Sequence, residues 1–186
     1  MRPSPTISPV AADCSFCCCW PISLTTPPTR TSFSVMPSAI GPRQTRRFVA
    51  PAFASQIAAI EVGKQPPVMK VGNLSASRDF TDVRDVVRAY VLALEHGEPG
   101  EVYNIGSGAS HSIRSLLDRL LSLSTVKISI ETDTARLRPA DVPDVVCDAS
   151  RLRAATGWQP RVTFDQSLSD LLDYERTQVD VATPSA

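Results

Sequence analysis

The chain has 186 residues, of which 42% are hydrophobic and 20% are charged, and this composition is typical of a globular protein of ordinary domain size. Its 19 basic residues equal its 19 acidic residues, so the overall charge gives no general attraction to nucleic acid or to an anionic membrane. No apolar run approaches the ~18 residues that a membrane-spanning helix needs, and the proline-containing start does not resemble a signal peptide. We therefore expect a cytoplasmic protein without a nucleic-acid or membrane partner.

The composition changes near residue 38. The first 37 residues contain seven of the 16 prolines, four of the five cysteines and no glycine. No helical or strand period lasts there for more than a few residues. The sequence therefore predicts an irregular segment over residues 1–37, an ordered region over 38–178 and a flexible tail over 179–186.

The ordered region begins with a helix predicted over residues 47–63. Phe53, Ile57 and Ile60 fall at helical spacing on one face, and Gly63 ends the run. The sequence PVMKVG, which follows, is typical of a short strand. A second helix is predicted over residues 82–97. Its apolar stripe consists of Val83, Val86, Val87, Tyr90, Val91 and Leu94.

The rest of the ordered region continues to alternate between strands and helices. EVYNIGSG predicts a strand that runs into a glycine turn, and residues 112–124 predict an amphipathic helix capped by Ser110 or Ser112. VKISIE and VPDVVCD predict two further strands, and the short helix after the second one ends at Gly157. A last helix begins near Asp165. This alternation is typical of an α/β fold.

One candidate anion site lies in the stretch VGNLSASRDFTDV. Arg78 precedes a helix, and a guanidinium can bind two phosphate oxygens at once, which suits a diphosphate. Asp79 and Asp82 could hold this arginine or cap the helix. From spacing alone, a surface loop with a local Arg–Asp pair is the favoured interpretation.

Three other features have structural explanations when they are considered alone. In RLRPADVP, Arg138 is stiffened by the following proline and could bind an anion, but a solvated loop is the simpler interpretation. Gly106 and Gly108 in GSGAS lack the third glycine of a dinucleotide fingerprint, so a tight turn is predicted. Cys147 is expected to be a small buried hydrophobe, and no metal site is predicted.

Several of these motifs, in this order, resemble the C-terminal half of the extended short-chain dehydrogenase/reductase family. The resemblance is carried by IGPRQTRRFVAPAFASQIAAIEVGKQPP, GNLSASRDFTDVRDVVRAY, GEVYNIGSG and RLRPADVPDVVCDASRLRAATGWQP, and it covers about residues 38–176. Within the family it points to the GDP-mannose 4,6-dehydratases and the GDP-4-keto-6-deoxymannose reductases. It implies an α/β fold that forms the C-terminal substrate-binding part of a Rossmann-type enzyme, with the Rossmann dinucleotide-binding half missing.

The resemblance also implies a binding site. Asn73 and Arg78 match positions of the family's GNLxxxRDF motif that contact the sugar nucleotide, and Arg138 matches the arginine that reaches the diphosphate. The helix near residues 48–63 would lie along the substrate pocket. The implied ligand is a GDP-sugar, and a homodimer would follow the family.

The same resemblance implies that this chain has no catalytic residues. SPTISPVAAD is similar to the family's SPYxxSKxAAD, but Pro5 and Pro9 stand where the catalytic tyrosine and lysine belong. Proline has no titratable side chain and cannot transfer a proton. The family exchanges a hydride with NADP or NAD, and we expect this chain neither to bind that cofactor nor to catalyse the reaction by itself.

Four cysteines occur in the run CSFCCCW at residues 14–20. A zinc site would need a second ligand pair, a disulfide framework would need an oxidising compartment, and a palmitoylated patch would need a neighbouring membrane signal. Cysteine codons TGC that are read in a shifted frame give leucine codons CTG, and in the family a leucine-rich helix follows Ala-Ala-Asp. We therefore favour an out-of-frame translation of residues 14 to about 37, which resequencing would test. For the whole chain, the alternatives to a truncated, catalytically incompetent fragment are a non-catalytic module that binds a GDP-sugar or a partner subunit, and a translated pseudogene.

Overall fold

The computed structural model describes residues 23–26, 29–35, 38–133 and 142–181. The helices in these ranges are α1 (Val49–Glu61), α2 (Val83–His96), α3 (Ile113–Ser122), α4 (Ser150–Thr156) and α5 (Phe164–Val181). The strands are β1 (Ser23–Thr26), β2 (Thr29–Val35), β3 (Ala39–Ile40), β4 (Val68–Val71), β5 (Ser77–Asp79), β6 (Thr81–Asp82), β7 (Val102–Ile105), β8 (Ser110–Ser112), β9 (Ser129–Thr132) and β10 (Asp144–Val145).

The strands form short, mostly parallel pairings between the helices. Two three-stranded sheets have the orders β1-β2-β7 and β10-β5-β8, and β3-β6 and β4-β9 form two-stranded pairs. The pairs β2-β7, β3-β6, β4-β9 and β10-β5 are parallel, which is expected where helices connect the strands. The arrangement is the mixed α/β fold that the sequence predicts.

Two hydrophobic clusters hold these elements together. The larger one lies between α1, α3 and α5 and includes Ile57, Leu117 and Leu171, all inaccessible to solvent. The smaller one packs α2 and β7 against α4 around Trp158, which is also fully buried. The indole N–H of Trp158 donates to the carbonyl of Asp85 at 3.0 Å, so the burial of this large ring leaves no polar atom unpaired.

Most predicted elements are confirmed, and their ends follow the predicted caps. Gly63 adopts a positive φ of 73° after α1, and Gly157 adopts 67° after α4. Ser112, one of the two candidates, caps α3 by accepting from the Ser115 amide at 2.9 Å. The sequence does not predict β1 and β2, because no hydrophobic period in the first 37 residues lasts long enough. Residues 1–22, with their cysteine run, lie outside the described residues.

The apolar stripe predicted along α2 is divided between the interior and the solvent. Val86, Ala89 and Ala93 are buried in the smaller cluster, and Asp85 is the other buried residue of α2. Tyr90 is partly buried against the same cluster. The remaining large apolar residues of the stripe are exposed by 37–54%: Val83, Val87, Val91 and Leu94. A helix that is apolar over so much of its circumference is usually covered on more than one side. We call these four residues the outer face of α2.

No helix within the described ranges is at once long enough and apolar enough to cross a lipid bilayer.

Candidate functional site

Asn73 shapes the turn that leads from β4 toward β5. Its exposed side-chain oxygen accepts from the Ser75 amide at 2.9 Å and from the Ser75 hydroxyl at 2.7 Å. This is the pattern by which asparagine stabilises a turn with its own side chain. The side-chain nitrogen of Asn73 has no partner among the described residues, so it can donate to a ligand.

Arg78 lies on β5, the central strand of the sheet β10-β5-β8, and its side chain is partly buried. Its Nη1 donates to the carbonyl of Ser77 at 2.6 Å and to the carbonyl of Val142 at 3.0 Å. The guanidinium is thus held by two backbone oxygens. Val142 directly follows residues 134–141, which include Arg138 and lie outside the described residues.

Asp79 does not pair with Arg78, although the sequence suggested this. Its carboxylate is buried, with 1% of the residue exposed, and its bonds point to other segments. Oδ1 accepts from the Ser107 amide at 2.9 Å and from the Ser107 hydroxyl at 2.5 Å. Oδ2 accepts from the amides of Gly108 at 2.8 Å and Cys147 at 3.1 Å. Successive side chains of a β-strand point to opposite faces of the sheet, so Arg78 and Asp79 on β5 face different neighbours and do not pair.

The glycine turn after β7 confirms the tight turn predicted from the sequence. A Cβ atom at Gly106 would lie 2.2 Å from the Cβ of Cys147 and 2.9 Å from Oδ2 of Asp79, so only glycine fits there. Because the amides of Ser107 and Gly108 already donate to Asp79, they cannot bind a pyrophosphate. This turn therefore does not fit a dinucleotide cofactor.

Asp82 and Asp85 fix the start of α2 and are both buried. Asp82 caps the helix by accepting from the Arg84 amide at 2.8 Å. Burial alone would raise the pKa of Asp82, but hydrogen bonds from Arg84 and Ser167 outweigh it and lower that pKa. Asp85 Oδ2 accepts from the amides of Arg161 at 2.8 Å and Val162 at 2.9 Å, which ties α2 to the segment before α5.

A cleft of about 400 Å³ lies between α1 and the outward face of β4. Its lining residues are Arg46, Ala52, Ser55, Gln56, Gln65, Pro66, Val68 and Lys70. Its lining is polar, with several amide and hydroxyl side chains and two cationic ones, of which Arg46 is ion-paired with Glu175 at 2.8 Å. The predicted helix near residues 48–63 therefore flanks a cleft.

A second cleft of about 280 Å³ lies between the start of α2 and the start of α5. His111 stacks on Phe164 there, with ring centroids 4.0 Å apart and planes 3° from parallel. A stacking partner 53 positions away leaves no local signal, so this contact is not predictable from the sequence.

Neither Cys147 nor any other described group forms a metal site. Burial, followed by the nearby charge of Asp79, raises the pKa of Cys147 to about 11, so the thiol is protonated and unreactive at neutral pH. Its burial confirms the predicted role as a small hydrophobe. Within the described residues, no group of three His, Cys, Asp or Glu side chains could hold an ion.

Comparisons with known proteins are consistent with this geometry. A family model for GDP-mannose 4,6 dehydratase matches residues 31–171. The GDP-6-deoxy-D-mannose reductase of Pseudomonas aeruginosa is 43% identical over 137 residues, which cover 73% of this chain and 45% of the relative. GDP-mannose 4,6 dehydratase 2 of Arabidopsis thaliana is 32% identical over 135 residues, covering 71% of this chain and 35% of the relative.

Solved structures agree with the sequence relatives. The protein RMD of Pseudomonas aeruginosa, solved in complex with NADPH, superposes with a TM-score of 0.75 at 38% identity, over 80% of this chain and 48% of that one. A UDP-glucose 4-epimerase of Thermotoga maritima, at 24% identity and a TM-score of 0.66 over 80% of this chain and 46% of that one, shows the shared fold. The chain spans less than half the length of these relatives, and it belongs to the GDP-mannose 4,6-dehydratase family, whose C-terminal part it resembles.

Proposed function

We propose that this chain is the nucleotide-sugar-binding part of a GDP-hexose dehydratase or reductase. In this proposal Arg78, Asn73 and Arg138 bind the GDP-sugar, and the cleft between α1 and β4 contributes to the same site. The observation that carries the proposal is the guanidinium of Arg78. Backbone carbonyls of Ser77 and Val142 hold its Nη1, within a sequence motif shared with the family.

The physical basis is the recognition of a diphosphate by a fixed cation. A guanidinium that is already oriented loses less conformational entropy when it binds an anion than a free arginine side chain would. A charge-assisted hydrogen bond contributes on the order of 1.5–3 kcal/mol. The hydrogen bond from Nη1 of Arg78 to the carbonyl of Val142 also supports the proposal, because Val142 directly follows the residues that include Arg138 in the sequence.

Calorimetric titration with GDP-mannose tests the binding site. We expect Arg78→Ala to weaken binding by roughly 10- to 100-fold, which is the loss of one or two charge-assisted contacts. Arg151→Ala is a matched control, because Arg151 is an exposed arginine whose described partner is Glu101. Equal affinities of the native chain and Arg78→Ala, or no binding by the native chain at millimolar ligand, would refute the proposed site.

We further propose that the chain does not catalyse the hydride exchange by itself. Pro5 and Pro9 occupy the positions of the family's catalytic tyrosine and lysine, and neither can carry a proton. The glycine turn at Ser107 and Gly108 has both amides bonded to Asp79. Consumption of NADPH by the purified chain in the presence of a GDP-4-keto sugar would overturn this part of the proposal.

The outer face of α2 supports a second candidate function, the binding of a partner polypeptide. The chain covers 45% of the Pseudomonas relative, and the partner that we propose is a polypeptide equivalent to the remaining part. Co-expression with that part of the reductase should give a complex that Val87→Asp with Val91→Asp abolishes, while Val62→Asp, at a similarly exposed valine, preserves it. A complex that survives the double substitution would contradict this role.

A further inference from the structure

We propose that Asp79 is a positioning residue of the nucleotide-sugar site, acting through Arg78. This inference rests on the proposed function, since it concerns how the site's arginine is held. Asp79 itself is buried and does not face a ligand. Its role is to fix the segment whose carbonyl oxygen holds the guanidinium.

Asp79 joins three segments that are distant in sequence. Its own strand, β5, carries Arg78, and its two oxygens receive hydrogen bonds from the turn after β7 and from the amide of Cys147. Cys147 lies two residues beyond β10, the strand that pairs with β5 at Ser77 and Arg78. The β10 pairing is only two residues long, and the segment is also held by the Ser77 amide, which donates to the Pro143 carbonyl at 2.7 Å, and by the Ser110 hydroxyl, which donates to Asp144. The bond from Asp79 to Cys147 adds an attachment at the C-terminal end of this segment.

Residues 142–147 connect Asp79 to Arg78. Residues 142–147 are attached to β5 at one end by the carbonyl of Val142, which accepts from Nη1 of Arg78, and at the other end by Asp79. If the Asp79 attachment is lost, the segment is held only through β5 and β8, and we expect the Val142 carbonyl that orients the guanidinium to be less firmly fixed. Residues 134–141, which carry Arg138, are continuous with the same segment.

The chemistry at this position requires a carboxylate. Both oxygens of Asp79 accept hydrogen bonds, so Asp79→Asn would place an amide N–H₂ group against backbone N–H donors on one side. The side-chain volume hardly changes, but the donors on one side lose Asp79 as their acceptor. These are either the amides of Gly108 and Cys147, or the hydroxyl and amide of Ser107, whose amide also donates to Thr81 Oγ1 at 2.9 Å. Asp79→Asn is therefore a substitution that disturbs the attachment without creating a cavity.

A double-substitution cycle on GDP affinity tests the inference. We expect Asp79→Asn to weaken GDP binding about tenfold at a temperature at which circular dichroism shows the variant to be folded. In that background, Arg78→Ala should weaken binding much less than it does in the native chain, because the arginine is already displaced. If Asp79 has a purely structural role, Asp79→Asn lowers the melting temperature but leaves the affinity for GDP per folded molecule unchanged. Arg78→Ala then weakens GDP binding by the same factor in both backgrounds.

Asp85→Asn is the matched control. Asp85 is equally buried and accepts two backbone N–H groups, but it ties α2 to the segment before α5 and does not contact residues 142–147. We expect Asp85→Asn to lower the melting temperature while the affinity for GDP and the effect of Arg78→Ala stay unchanged.

A milder variant keeps the inference testable if Asp79→Asn does not fold. Ser107→Ala removes the hydroxyl that donates to Oδ1 of Asp79 at 2.5 Å and leaves the amide bonds in place. We expect it to weaken GDP binding about threefold, which corresponds to about 0.6 kcal/mol, and to reduce the effect of Arg78→Ala. Suppose that the native chain binds GDP and that Arg78→Ala weakens this binding by the same factor with and without Asp79→Asn or Ser107→Ala. The proposed role of Asp79 is then wrong, and the proposed function stands. If the native chain does not bind GDP, both are wrong.

Discussion

Replacing Glu61 by glutamine should destabilise the fold in a pH-dependent way. Glu61 ends α1, and its carboxylate accepts from Arg176 on α5 through Nε at 2.8 Å and Nη2 at 2.9 Å. It also accepts from the Thr125 amide at 2.9 Å, and Arg176 donates to the carbonyl of Leu123. The pair therefore joins α1 and α5 to the segment after α3, and the Glu61 side chain is only 8% exposed.

The pKa of Glu61 gives the scale of the effect. The hydrogen bonds of Arg176 are the largest cause that lowers this pKa from 4.5 to about 2, against a smaller opposing effect of burial. One pKa unit corresponds to about 1.36 kcal/mol, so the ionised form gains at most ~3.4 kcal/mol from its surroundings. Glutamine keeps part of the hydrogen bonding, and Arg176 is partly exposed, so we expect a loss of about 2 kcal/mol.

Thermal unfolding monitored by circular dichroism measures this loss. For a chain of this size, about 2 kcal/mol corresponds to a decrease of roughly 4–8 °C in melting temperature at neutral pH. Because the folded-state pKa is lowered, the stabilisation is complete above pH 4.5 and disappears as the pH falls toward about 2. The difference between the native chain and Glu61→Gln should therefore shrink over that range.

An exposed ion pair provides the control. Arg114 and Asp118 are separated by 3.0 Å, and both side chains are more than half exposed, so Asp118→Asn should change stability by less than about 0.5 kcal/mol. The reasoning fails if Glu61→Gln destabilises the chain no more than Asp118→Asn does, or if its effect is the same at low and neutral pH.

Three further results are expected. Val87→Asp together with Val91→Asp should reduce binding of the hydrophobic dye ANS without lowering the melting temperature, and unchanged dye binding would show that the outer face of α2 is not accessible. Cys147 should resist iodoacetamide at neutral pH in the native chain and react after denaturation, as peptide mass spectrometry can show, and rapid native labelling would contradict its burial and raised pKa. Leu117→Ala should cost about 2–5 kcal/mol in chemical denaturation because it leaves a cavity between α1, α3 and α5, and a smaller loss would mean that the cluster is loosely packed.

The helices were predictable from the sequence because each has a local signal. Helical spacing of Phe53, Ile57 and Ile60 identified α1, and all three are buried as expected. The same reasoning located α2 but not its orientation. Small residues such as Ala89 and Ala93 face the interior there, while larger valines face outward, so hydrophobic size alone misidentifies the buried side.

The candidate site was only partly predictable. The motif around Arg78 predicted a loop before a helix, whereas Arg78 lies on the short strand β5, and the partners of Asp79 lie 28 to 68 positions away in the chain. Such contacts depend on how β5, β7 and β10 are brought together, and no local pattern encodes them. The short strands β3, β5, β6 and β8 were missed for the same reason, since two or three residues show no period.

Trp158 gives the molecule a built-in optical reporter of its own folding. Its ring is fully buried and hydrogen-bonded, and the guanidinium carbon of Arg88 lies 5.9 Å from the ring centroid. Fluorescence from this indole should therefore shift to longer wavelength when α2, α4 and β7 separate. The sequence contains one other tryptophan, Trp20, so Trp20→Phe would leave a single fluorophore that follows the smaller cluster during unfolding.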